Sequence, residues 1–311
     1  MIKVGITGAD TPLGGELIRL LIHHPEVELV SLYAPSSKGI SVSDFHRGLE
    51  GDTRLKFSES LNFSELDVLF IIDNSIIRDF SNELPEDLKI IRFSKSSELR
   101  ATSPFNAIEY VPGLSEMFRK PLVRGAKAAE ILISPVSVLL IALYPLAMHL
   151  LLNDSLKVKI LLPSVLEGRF SSEEIAAETE KYLKSVQLSF NRLEKIETSG
   201  SQALRGMEIG IEFPCSVSEA EIEKIFDSVY DDHNFSFVVS HKPELTEVAG
   251  TQKCLLYLSK PTPELLRINA VADGILRGGA GDAVHVMNLL FGLFEKTGLS
   301  LQASLAFINP E

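Results

Sequence analysis

Tryptophan is absent from this 311-residue chain, and cysteine occurs only twice, as Cys215 and Cys254. Two thiols exclude a disulfide framework and a four-thiolate metal site. Positive charge is in deficit, with 30 Lys and Arg against 42 Asp and Glu and a formal net charge of −12. A duplex-binding protein carries the opposite field, so nucleic acid is not the expected ligand. Histidine is scarce as well: there are seven, and none lies between residues 150 and 232. The two that adjoin, His23 and His24, diverge on a helix, so no metal site is expected. No charged leader or cleavable apolar segment precedes the strand-like Met1–Ile6, which points to a cytoplasmic protein.

What is present is ordinary globular composition, 45% hydrophobic and 23% charged. At roughly 150 residues per domain the length suggests two domains, and such a chain buries enough surface to fold without staples. One stretch has the length of a membrane span: Ile131–Leu152 carries only His149 as a possible charge. Pro135 and Pro145 interrupt it and Ser134 and Ser137 lie at its start, so it reads as a buried strand turning into a buried helix, with no membrane association.

The first half alternates short apolar runs with amphipathic segments. Lys3–Thr7, Glu28–Tyr33, Val68–Ile72, Leu88–Phe93 and Ile131–Ile133 read as strands and Leu13–His23 as a helix. That order predicts an α/β fold with a Rossmann-type parallel sheet covered on both faces. In the second half, Val158–Leu162, Met207–Phe213, Phe235–Ser240, Lys253–Leu258 and Leu265–Val271 read as strands. Glu173–Leu193 and Glu219–Tyr230 read as helices, giving an α+β mixed-sheet domain. Asp282–Lys296 reads as a last helix, opened by Gly278-Gly279-Ala280-Gly281. The expected domains are 1–136 with 280–311, and 137–279.

The turn Gly8-Ala9-Asp10-Thr11-Pro12-Leu13-Gly14-Gly15 joins the first strand to the first helix, which is the place for a dinucleotide loop. Gly8, Thr11 and Gly14 are the candidate phosphate contacts. The dinucleotide fingerprint needs glycine two and five residues after the first, where Asp10 and Leu13 stand. Thr11-Pro12 also reads as an N-cap followed by the first helical residue, which would fill amides that a phosphate needs. At the end of the second strand, Ser36 and Lys38 replace the acidic residue that would hold NAD ribose hydroxyls. Two readings stay open there: contacts for the 2′-phosphate of NADP, or a polar turn with an exposed lysine.

Several motifs together resemble the N-acetyl-gamma-glutamyl-phosphate reductases, relatives of the aspartate-semialdehyde dehydrogenases. They are Gly8-Ala9, Gly14-Gly15-Glu16-Leu17, His24-Pro25-Glu26-Val27-Glu28, Ser43-Asp44-Phe45-His46, Gly113-Leu114-Ser115-Glu116 and, most specific, Gly278–Leu299. The resemblance covers nearly the whole chain. It implies an NADP-binding first domain with Asn288 among the cofactor contacts, and a second domain that also makes oligomer contacts. A last helix would return to the first domain, and Arg205 would face substrate. It implies a reaction in which a cysteine thiolate attacks an acyl phosphate, the thioester accepts hydride from NADPH, and a histidine serves as acid and base.

The chain departs from that pattern where the chemistry is carried. The cysteine turn corresponds to Ser134-Pro135-Val136-Ser137, so Ser137 stands in the place of the nucleophile. Serine is a poor nucleophile without a base, and His149 lies twelve residues on, about 18 Å along a helix. Ser137 is therefore expected to be the N-cap of a Val138–Leu152 helix. The acid–base histidine has no counterpart. Pro163–Gly168, Asp73-Asn74-Ser75-Ile76 and Ser96-Ser97-Glu98 replace other functional turns, while Arg205-Gly206 survives. Cys254 reads as core packing and Cys215 as a strand-end residue with no basic neighbour. The expectation is a homologue without the thioester-forming reaction, acting as a regulator, a sensor or an oligomer partner of itself or of a paralogue. The alternative is an NADP-dependent oxidoreductase with altered chemistry.

Overall fold

The computed structural model describes residues 1–72, 84–93, 105 and 108–303. The turns at 73–76 and 96–98, and the tail 304–311, lie outside them. The chain divides into two compact units, Met1–Ile133 with Gly279–Ser300, and Ser134–Gly278.

The first unit is built on six strands: β1 (Ile2–Thr7), β2 (Val27–Tyr33), β3 (Val68–Ile71), β4 (Lys89–Phe93), β5 (Val111–Pro112) and β6 (Ala128–Ile131). Their order is β2-β1-β3-β4-β6-β5, and every pairing is parallel. The central strand β3 reads Val-Leu-Phe-Ile and is buried throughout, as a parallel strand covered on both faces must be. Helices α1 (Pro12–Leu21), the short α2 (Val42–Phe45), α3 (Ser115–Val123) and α7 (Ala280–Leu290) belong to this unit, with α7 packed on α1 and α3. The expected helix to Lys296 stops six residues early. Gly292 adopts φ +66°, its N–H bonds the Leu289 carbonyl, and Leu293 N–H reaches Asn288 O at 2.8 Å. These two bonds close the last turn in a left-handed cap that glycine forms without Cβ strain.

The second unit carries β7 (Leu156–Leu162), β8 (Leu193–Gly200), β9 (Gly206–Pro214), β10 (Ser236–Val239), β11 (Cys254–Thr262) and β12 (Leu265–Asp273). They form a mixed sheet in the order β10-β11-β12-β9-β7-β8, parallel at both edges and antiparallel between. Its residues alternate. Val158, Ile160, Ile209, Ile211, Leu256 and Ile268 are buried, whereas Lys157, Lys159 and Arg267 on the other face are exposed. Helices α4 (Ser134–Met148), α5 (Ser172–Val186) and α6 (Glu219–Tyr230) complete the unit. Ser171 and Glu174 start α5 with a reciprocal capping box.

Helix α4 is buried on every side from Ser134 to Leu143. At 15 residues it is about 22 Å long, short of the ~30 Å of a bilayer core. Among the described residues no helix is long and apolar enough to cross a membrane. The helix corrects the expectation for Ser137, which is the fourth helical residue and not the N-cap, because helical geometry begins at Ser134. It also ends before Leu152: Leu150 turns to φ +57° and Leu151 N–H reaches back to Leu146 O at 2.9 Å.

Pro145 sits inside α4 and has no N–H for the Ile141 carbonyl. The Tyr230 hydroxyl of α6 donates to that carbonyl instead. Tyr230→Phe should therefore lower unfolding free energy by about 1–3 kcal/mol, the cost of an unsatisfied buried acceptor. An unchanged urea midpoint would show that the carbonyl finds another donor.

Candidate functional site

Thr11 caps α1. Its Oγ accepts from Gly14 N–H at 3.0 Å and donates to Gly8 O at 2.7 Å, while its carbonyl takes the Gly15 N–H. Pro12 at the first helical position has no N–H. A phosphate at a helix N-terminus needs several convergent backbone donors. Here Pro12 offers none and those of Gly14 and Gly15 are spent within the chain, which leaves Leu13 as the remaining first-turn donor. The glycines serve the fold. A Cβ on Gly14 would meet Gly8 O at 2.5 Å, and one on Gly15 would meet the His46 ring at 2.6 Å. His46, in its matched loop, is itself seated on this turn, with Nε2 2.9 Å from Ala9 O.

The end of β2 is tied to the same turn. The Ser37 hydroxyl donates to Asp10 Oδ2 at 2.7 Å, which places a carboxylate beside the cradle. Ser36 is exposed, and the Lys38 ammonium is paired with Glu59. Both partners of that pair are more than half exposed, so a phosphate could displace it at little cost. The cap, the proline and Asp10 are not displaceable in that way. The turn does not fit a dinucleotide phosphate.

Asn288 lies elsewhere in the first unit and is fully buried. Its Nδ2 donates to Glu295 O (3.1 Å) and Thr297 O (2.8 Å), so its Oδ1 must accept from His24 Nε2 at 3.0 Å. His24 Nδ1 in turn accepts from Glu26 N–H at 3.3 Å. These bonds fix a neutral ring. Burial holds the His24 pKa below its ordinary value of 6.5, against the opposing Asn288 hydrogen bond. His24 follows α1 and belongs to a buried network. Beside it, Glu295 joins Arg119 (2.5 Å) to His285 (2.7 Å), and Gly298, at φ +71°, lies so close to His24 that a Cβ would overlap its ring. The Gly278–Leu299 motif thus closes the first unit, with the Asn288 amide committed to internal partners.

In the second unit Ser137 is 1% exposed, in the first turn of α4. Ser134 begins that turn and its hydroxyl faces the carbonyls of Gly274 and Arg277, which pins the helix to the segment after β12. Arg205 is engaged: its Nε donates to Asp273 Oδ2 at 2.7 Å. Asp273 is fully buried and also accepts from Gly250 N–H (2.7 Å), Ile275 N–H (2.9 Å) and Leu276 N–H (3.2 Å). Sequence reading missed this acid. Its signal is a single carboxylate closing the apolar end of β12, Ala270-Val271-Ala272-Asp273, just ahead of Gly274.

Cys254 faces the core of β11, and Cys215 is buried at the end of β9. His149 lies at the far end of α4, His233 packs edge-on against Tyr230, and His241 pairs with Glu247 at 2.9 Å. Among the described residues no group of three or more His, Cys, Asp or Glu could hold a metal ion. A helix N-terminus stabilises a nearby anion by at most ~2 kcal/mol, or about 1.5 pKa units, which is too little to make a serine alkoxide near neutrality.

Residues 3–125 match the family described as semialdehyde dehydrogenase, NAD binding domain. The chain is 34% identical to an N-acetyl-gamma-glutamyl-phosphate reductase of Parabacteroides distasonis, over 98% of this chain and 99% of that protein. The reductase of Phocaeicola vulgatus matches at the same identity and coverage. Among solved structures, aspartate semialdehyde dehydrogenase with NADP from Candida albicans superposes with a TM-score of 0.64 at 16% identity, covering 94% of this chain and 98% of that one. The Vibrio cholerae aspartate semialdehyde dehydrogenase II gives 0.65 at 13% identity, with the same coverage. At such identities the structures establish the fold, and full-length similarity establishes descent: the chain belongs to the N-acetyl-gamma-glutamyl-phosphate reductase family.

Proposed function

We propose that this chain does not carry out the thioester-forming reduction of N-acetyl-gamma-glutamyl phosphate and acts as a regulatory or oligomer-partner member of its family. One observation carries the reading: the residue in the nucleophile's place is Ser137, buried in the first turn of a helix that carries no charged residue. The histidine-free segment 150–232 supports it, since general acid–base help is worth typically ~10²–10⁴ in rate. The purified protein mixed with N-acetyl-gamma-glutamyl phosphate and NADPH should show no NADPH oxidation above the protein-free rate. Turnover would end the proposal. Ser137→Cys alone should remain inactive, because the base is missing too; recovered activity in that variant would show that the thiol was the only loss.

A partner role has a surface to use. The open face of the second sheet sets Tyr257, Asn269, Gly210, Lys159 and Glu197 in one row across five strands. Gly210 stands at its centre with open space where a side chain would project. Charges there are matched in pairs, Arg267 with Glu212 and Lys242 with Glu208, which suits a self-complementary contact. Sedimentation should show association, alone or with an active paralogue, and Gly210→Arg should abolish it without changing the melting temperature. A monomer under both conditions removes the partner role.

A further inference from the structure

We infer that the Gly8–Gly15 turn is itself what shuts the nucleotide cradle of the first unit, so that this chain binds neither NADPH nor NADH. Three features act together. The Thr11 side chain occupies the Gly14 amide from within, and it is anchored in place by its second bond to Gly8 O. Pro12 deletes the donor that would follow it. Asp10, held by Ser37, sets a carboxylate just ahead of α1, which would repel a pyrophosphate at that helix end. The internal carboxylate and hydroxyl do for this helix end what a bound phosphate does elsewhere, since a negative group near the N-terminus and a filled amide both stabilise the helix. Of the first-turn amides, that of Leu13 alone is left for a ligand.

The glycines do not reopen it. Gly14 and Gly15 are required by Gly8 O and by the His46 ring, so their presence marks close packing of turn on helix and not room for a cofactor. His46 bonds the Ala9 carbonyl and Ser37 bonds Asp10, which fastens the turn to the segments that follow α2 and β2. The inference does not depend on the loss of the reductase reaction proposed above, because it concerns a different unit and different residues.

The test is titration of the full chain with NADPH and, in parallel, NADH, read by the reduced nicotinamide's fluorescence and by calorimetry. No saturable binding is expected up to about 1 mM, the weak end of specific affinity. A triple variant, Asp10→Ser with Thr11→Gly and Pro12→Ala, frees the amides and removes the charge. Glycine at an N-cap costs only a few tenths of a kcal/mol, so the helix should survive. Each recovered hydrogen bond to a charged phosphate is worth roughly tenfold or more in Kd, so the variant should bind NADPH at least about a hundredfold more tightly than the parent. Should the triple variant melt early, Asp10→Ser with Pro12→Ala keeps the Thr11 cap and should still gain about tenfold. Saturable micromolar binding by the parent chain overturns the inference. So does failure of folded variants to gain affinity, since the turn would then not be what excludes the cofactor. NADPH binding without turnover would end this inference and leave the reductase-loss reading standing, whereas turnover of N-acetyl-gamma-glutamyl phosphate would end both.

Discussion

Asp273→Ala is expected to cost about 3–5 kcal/mol of stability, the range for removing one partner of a buried ion pair. The carboxylate is fully buried and receives the Arg205 guanidinium and three backbone amides. Its removal takes one shared acceptor from four donors and loosens the segment after β12 that Ser134 uses to hold the start of α4. Urea denaturation checks the size of the effect. A double-mutant cycle with Arg205→Met checks its cause: a coupling of about 1–3 kcal/mol is expected for two groups in one network. Additive effects would mean that Arg205 owes nothing to Asp273, which would favour the substrate-facing role that the family resemblance implies.

Asn288→Ala is the second large effect, about 3 kcal/mol, because the carbonyls of Glu295 and Thr297 and the His24 ring N–H lose a shared buried partner together. A residue that only touched a cofactor would leave the melting temperature unchanged, so one thermal scan separates the two roles. The same network sets a pH dependence. The folded-state pKa of His24 is depressed, so its contribution is fully present above the unfolded value of 6.5. As pH falls below 6.5 the unfolded chain takes up the proton first, and stability declines until the lowered folded value is passed. The melting temperature should drop between pH 7 and pH 5, and His24→Gln should flatten that slope. A slope that survives the substitution would have to come from another group.

Local signals are legible in the sequence where chemistry and spacing act over a few residues. Thr11-Pro12 announces the cap of α1, and Val-Leu-Phe-Ile announces a strand covered on both sides. Elements whose sequence lacks a clear period are not legible. Edge strand β8 reads Leu-Glu-Lys-Ile-Glu-Thr-Ser-Gly and is exposed at most positions, so its alternation never shows. Helix α3 contains Pro121 and a non-helical Phe118, which hide its apolar face. Site residues escape for a different reason. Asn288, Asp273 and His24 take their meaning from partners far away in the chain, and a polar residue in a motif looks the same whether it holds a ligand or holds the fold. Ser137 is placed four residues off by sequence because Pro135, which reads as a break, is tolerated in a helix's first turn.

The first unit is completed by the last described helix of the chain. His24 and Asn288 meet across 264 residues, and α7 covers α1 and α3. During synthesis at about 5–20 residues per second, roughly 13–53 s separate the emergence of those two partners. For that interval the nascent Met1–Ile133 segment carries an uncovered apolar flank while the whole second unit is made and folds. A ribosome that stalls or terminates before Gly279 therefore releases a chain with one finished body and one open one, and that open sheet layer is the natural target of chaperones and proteases.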